Sequence, residues 1–219
     1  MRRAFRISSL LCVCLLAACS GRSPFGDHGD NAATQPAPSA TPDAAAQAGL
    51  HTLQELVSEK NYKGLGFTSL EERKRAALDA PMRTYVIGLD ALKRANAEAD
   101  PGTLLQDAGK TLYPIKVDNA VVSSLSVTQR PDGWRASEFG NAAIARTLTG
   151  FRKNPDDAVV EVPALLLRFV ARKSDSDWVL IPIRDDARFE WHAGEEVNAR
   201  RVVQVLQRYL DGYQEKGPI

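Results

Sequence analysis

Between residues 199 and 210, apolar side chains recur at Ala199, Val202, Val203, Leu206, Tyr209 and Leu210, with polar residues between them. That spacing lays one apolar stripe on a 3.6-residue period and predicts an amphipathic helix. Glu195 and Glu196 suit its first turn and Gly212 its end. The middle of the chain has a shorter period. Residues 111–117 (TLYPIKV), 121–129 (VVSSLSVTQ) and 133–139 (GWRASEF) read as strands, with Arg130-Pro131-Asp132-Gly133 as a turn between the last two. A helix over about 141–149 follows, and then a second hairpin, 158–173 with 177–184 across Ser174-Asp175-Ser176. Upstream, Thr52 with Glu55 and Ser69 with Glu72 fit capping boxes that open two helices. Residues 83–89 suit a short strand better than a helix start, and Asp90 suits the cap of a helix to about Ala97.

These elements predict an α+β fold: an antiparallel sheet built from two hairpins with helices packed on one face. Cystatin-like and NTF2-like folds share this general shape, as an analogy of architecture without a family motif. Each hairpin carries a tryptophan just after its turn, Trp134 and Trp178, expected to lie at least partly buried on the sheet. Three strand candidates contain proline between apolar residues, at Pro114, Pro163 and Pro182, where the missing N–H suits sheet edges or interruptions. Ser124, Ser126 and Thr128 alternate onto one strand face and are expected to be solvated there.

The first residues change the picture. Arg2, Arg3 and Arg6 precede an uncharged, mainly apolar run from Ile7 to Ala18, too short for a bilayer-spanning helix of about 20 residues but right for a secretory leader. The run ends Leu16-Ala17-Ala18-Cys19-Ser20. This resembles the lipobox of bacterial lipoproteins, in which small residues precede the cysteine that becomes the mature N-terminus. The resemblance implies cleavage after Ala18 and acylation of Cys19, with residues 1–18 discarded as signal peptide. Because Ser20 is not the aspartate that commonly retains such proteins at the inner membrane, it also implies sorting to the outer membrane, with the domain facing the periplasm.

All three cysteines lie at positions 12, 14 and 19, so residues 20–219 contain no disulfide, cysteine nucleophile or cysteine metal ligand. Residues 19–49 are read as the lipidated cysteine and a disordered Pro/Ala/Ser-rich tether, spanning roughly 30 Å on average and about 100 Å when stretched. Residues 50–219 are read as one periplasmic domain. The chain has 28 basic and 27 acidic residues; without the leader's arginines, 25 basic residues remain against 27. No basic stripe marks a nucleic-acid surface, so membrane attachment rests on the lipid and nucleic acid is not an expected partner.

Candidate chemistry is sparse. Gly109-Lys110-Thr111 lacks the upstream glycine and the following helix of a phosphate loop. No Gly-x-Ser-x-Gly elbow occurs, and the only histidines beyond residue 50 are His51 and His192. The densest polar stretch runs from Arg184 to Glu196. If residues 188–192 are extended, Glu190 and His192 share a face that Asp185 or Asp186 could join, a set suited to a divalent cation or to acid–base work. A turn and a helix start account for the same residues. No catalytic residue, metal ligand or cofactor is assigned. The reading is a lipid-anchored envelope protein whose domain binds a protein or small ligand without catalysis, with an envelope protein among the expected partners. The alternative is a periplasmic hydrolase or metal-dependent enzyme centred on Asp185, Asp186, Glu190 and His192.

Overall fold

The computed structural model describes residues 37–96, 100–174 and 177–215, with side chains through Gly212. Cys19 and Ser20 lie outside these residues. Nine strands form one largely antiparallel sheet. The chain order is helix α1 (Pro42–Leu56), a single-turn helix α2 (Glu72–Arg75), and strands β1 (Ala76–Leu78) and β2 (Met82–Val86). Helix α3 (Leu89–Arg94), a 3₁₀ turn (Pro101–Leu104) and the meander β3 (Gln106–Val117), β4 (Ala120–Arg130) and β5 (Gly133–Phe139) come next. Helix α4 (Ala142–Phe151) then crosses to β6 (Ala158–Val162), β7 (Leu167–Ser174), β8 (Asp177–Pro182), β9 (Val197–Asn198) and helix α5 (Ala199–Glu215). The spatial order is β5-β4-β3-β2-β6-β7-β8-β9, with β1 pairing β3 beside β2. The seam between the two meanders is the parallel pair β2–β6, and the connection that reaches it is α4.

Helices cover both faces, which corrects the one-face expectation. Strand alternation puts Val160, Phe169, Leu180 and the α5 residues Val202 and Leu206 in one core. Tyr113, Leu125 and Val127 pack with Leu50 and Leu53 of α1 on the same face of the sheet. The opposite face buries Met82, Val159, Val170 and Ile181 beneath Leu148 of α4. This side also buries Ser124 and Ser126, expected to be solvated, and Ser124 donates its hydroxyl to the Gly140 carbonyl.

The first helix corrects the tether boundary. Residues 42–49, read as tether, are the first half of α1. Thr41 caps it by accepting from the Ala44 amide at 3.2 Å, and Pro42 sits at the first helical position. Its buried stripe begins with Ala45, Ala46 and Gly49, residues whose small size resembles linker composition. The small size is required: a Cβ on Gly49 would stand 2.9 Å from the Ala136 Cβ and 3.0 Å from Leu125 Cδ2. Thr52, expected as a cap, lies mid-helix and donates to the Ala48 carbonyl at 3.1 Å. The second expected cap does not form: α2 begins after Glu71 with no side-chain cap, and Glu72 instead accepts from the Thr68 amide at 2.6 Å.

The prolines mark interruptions. Pro114 lies on β3 between the stretches paired by β1 and β2, where its carbonyl accepts from Asp79 N at 2.8 Å and no donor is required. Pro163 ends β6, so 158–173 is two antiparallel strands rather than one. Trp134 and Trp178 lie near the starts of β5 and β8, half-buried against the two cores of the α1/α5 face.

Candidate functional site

The Arg184–Glu196 stretch is organised by its aromatic residues. Phe189 and Trp191 are buried, stacked with ring centroids 4.7 Å apart, and Trp191 meets Phe169 edge-on at 5.5 Å. Their burial requires a tight turn, closed by Asp186 N donating to Trp191 O at 3.0 Å and Trp191 N to Asp186 O at 3.2 Å. Residues 188–192 are therefore not extended. Glu190 takes the left-handed conformation (φ 56°) at the exposed tip. His192 Nδ1 lies 3.9 Å from Asp185 Oδ1, with both side chains exposed. Asp186 turns away to Arg188, whose Nη2 donates to Oδ2 at 2.6 Å and Nε to Oδ1 at 2.9 Å. Among the described residues no group of three or more His, Asp or Glu side chains could hold a metal ion.

A second ionic cluster is an internal fastening. Arg172, buried on β7, donates to Asp157 Oδ2 from Nη2 at 2.9 Å, to Glu196 Oε1 at 2.7 Å and to the Phe151 carbonyl at 3.0 Å. Asp157 also accepts from the amide of Lys153 at 2.8 Å. Burial opposes its charge, but the Arg172 hydrogen bond and the amides of Lys153 and Asn154 hold its carboxyl below the usual aspartate range. The cluster ties the end of α4 to β7 and to the segment before α5. Its donors face inward, so it presents no reactive group.

Two concavities lie on opposite faces of the sheet. The first, about 600 Å³ on the α1/α5 face, is a mixed-charge cleft bearing Arg83, Lys173, Tyr85 and Trp178 beside the carboxylates of Asp43 and Asp156. Asp43 is already engaged, accepting from the Tyr113 hydroxyl at 2.5 Å; burial and this carboxylate push the Tyr113 phenol up.

The second, about 440 Å³, opens beyond α4 where β6 turns into β7. That volume is in the range of small-ligand pockets, ~300–1,000 Å³. Ile144 and Thr147 of α4, Pro163, Leu166 and Ile183 form much of its wall, with the Glu161–Arg168 pair and Arg184 as its charges. Leu166 is 77% exposed, and it stands in the left-handed conformation (φ 56°, ψ 35°). A leucine pays roughly 1–2 kcal/mol for that backbone, and an exposed one recovers little of it by burial. The turn is held regardless. Arg184 Nη2 donates to the Leu166 carbonyl at 2.7 Å and Arg188 Nη2 to the Leu165 carbonyl at 3.0 Å. Arg188 is itself held by Asp186 and lies over the Phe189 ring at 5.0 Å. Asp186 thus supports the lip of this cavity through Arg188 rather than forming a centre with His192.

Neither Leu166 nor Ile144 stood out in the sequence. The available signal was the run Ala164-Leu165-Leu166-Leu167 after a proline, more consecutive leucines than one side of a strand can bury. No protein-family model matches the chain, and neither a curated protein nor a solved structure is significantly similar to it. Among the described residues, no helix is long and apolar enough to cross a membrane.

Proposed function

We propose that this chain is a lipid-anchored envelope protein whose domain binds a partner or small ligand at the α4 cavity, without catalysis. The observation that carries the binding role is Leu166: an exposed leucine fixed in a costly backbone conformation by two arginines, at the rim of a partly apolar cavity. Strain held this way at an exposed apolar side chain supports recognition better than it supports folding. The lipobox-like Leu16-Ala17-Ala18-Cys19 supports acylation at Cys19, and Ser20 supports outer-membrane sorting with the domain in the periplasm. The cystatin-like or NTF2-like comparison stays one of general shape, a helix-covered antiparallel sheet with a concavity beside a helix. Nucleic acid is not a proposed partner, because the charge is nearly balanced.

A photo-crosslinking amino acid at position 166, expressed in cells, tests the reading. One dominant adduct, lost when Ile144→Trp fills the cavity, is the expected result. Absence of any adduct, or adducts indifferent to Ile144→Trp, would remove the cavity from the proposal.

A further inference from the structure

The cavity beside α4 has a charge asymmetry as well as an apolar wall. Its ionisable lining groups are Glu161, Arg168 and Arg184. Glu161 Oε1 accepts from Arg168 Nε at 2.8 Å and Nη2 at 2.6 Å, across directly paired positions of β6 and β7, so these two charges cancel. Arg184 makes no ion pair among the described residues; its Nη2 donates to a neutral acceptor, the Leu166 carbonyl. Asp186, whose carboxylate feels the Arg184 charge, is already neutralised by Arg188. Thr147 offers no competing donor, because its hydroxyl hydrogen goes to the Ala143 carbonyl at 3.1 Å. One guanidinium without an ion-pair partner among the described residues therefore borders a wall built from Ile144, Pro163, Leu166 and Ile183.

We infer that this cavity takes an anionic amphiphile: one carboxylate at Arg184 and an unbranched alkyl tail between α4 and the 163–166 turn. The inference rests on the binding role proposed for the same cavity and names its ligand class. A monocarboxylate matches the single uncompensated positive charge, and a planar guanidinium suits carboxylate geometry. A phosphate monoester brings about −1.5 to −2 charges, more than this lining neutralises. A cationic amphiphile meets repulsion, and a neutral one leaves the Arg184 charge without a counter-ion.

Calorimetry on the full chain, carrying Cys19→Ala so that no acyl chain competes, tests this with hexanoate, octanoate, decanoate, decanol and decyltrimethylammonium. Affinity should rise about fourfold per methylene from hexanoate upward, the gain expected for burying each CH₂. Decanol should bind at least about tenfold more weakly than decanoate, and decyltrimethylammonium should not bind. Arg184→Gln, which also frees the Leu166 carbonyl, should cost decanoate about tenfold more than it costs decanol, and Arg184→Lys should restore most of that difference. Ile144→Trp should abolish binding of both. If decanol matches decanoate and both are lost in Ile144→Trp, the cavity binds but the carboxylate assignment is wrong. If no probe binds, or Ile144→Trp leaves decanoate bound, the inference is overturned; position-166 adducts that persist would then show that the binding role does not depend on it.

Discussion

Arg172 Nη2 lies 2.9 Å from Asp157 Oδ2, with Nε 3.2 Å from the same oxygen, and the Asp157 side chain is 1% exposed. This pair joins the loop between α4 and β6 to β7. Removing one partner leaves the other charge buried, the costly way to break such a pair. Asp157→Ala should lower unfolding stability by about 3 kcal/mol, since Glu196 still engages Arg172 and holds the loss near the low end of the range. A urea midpoint within error of the parent would refute the role of the pair.

The same carboxylate makes stability sensitive to acid. Asp157 and Asp186 both titrate below their ordinary range: Asp157 because Arg172 and two amides outweigh its burial, Asp186 chiefly because Arg188 hydrogen-bonds it. A depressed folded pKa contributes stability that is fully present above the unfolded value, near 3.9, and is lost as pH falls through the folded pKa. Thermal midpoints should hold from pH 7 to about 5 and drop steeply below about pH 4. Asp157→Asn should flatten the acid limb; an unchanged limb would assign it to other groups.

Leu166 separates stability from recognition. Asn adopts the left-handed conformation more readily than leucine, and little burial is lost at a position 77% exposed. Leu166→Asn should leave the unfolding midpoint unchanged or raise it by up to about 1 kcal/mol, while weakening decanoate binding several-fold. A marked loss of stability would mean that Leu166 is a packing residue.

Gly66 tests the packing of the loop before α2 against Val122 of β4 and Ala142 of α4. It takes φ 96°, and a Cβ there would stand 1.9 Å from the Val122 carbonyl oxygen. Gly66→Ala should therefore destabilise by more than about 2 kcal/mol, beyond the usual cost of a surface change. Denaturant unfolding of this one variant decides the point.

The anchor is tested at two neighbouring residues. Cys19→Ala should abolish incorporation of labelled palmitate, and Ser20→Asp should move an acylated protein to the inner-membrane fraction. An unmodified N-terminus at another residue, read by mass spectrometry, would sink the anchor. Unchanged fractionation of Ser20→Asp would sink only the sorting.

By itself, the sequence determined the elements whose periodicity is strong. The apolar stripe of α5 and the alternation through β3, β4 and β5 were legible because large apolar residues recur at the period of the element that buries them. The turn at 131–132 was legible because proline presets φ and glycine accepts the positive φ (130°) that Gly133 adopts. The lipobox-like resemblance of Leu16-Ala17-Ala18-Cys19 rests on a short contiguous pattern outside the described residues.

The tertiary structure alone decided the rest. The first half of α1 looked like tether because its buried side is alanine and glycine, and only the close approach to Ala136 and Leu125 explains why small residues belong there. The covering of both faces follows from the parallel seam β2–β6, which sends α4 across the opposite side of the sheet; that pairing joins strands far apart in the chain and leaves no local mark. The acidic residues around His192 looked like a centre, but the buried rings of Phe189 and Trp191 fold their segment into a turn that sends Asp186 to Arg188 and Glu190 to solvent. The cavity at Leu166 depends on a left-handed residue, two arginines from a later loop and the end of a helix. Local propensity cannot predict that convergence, because each group is placed by contacts with segments distant in the chain.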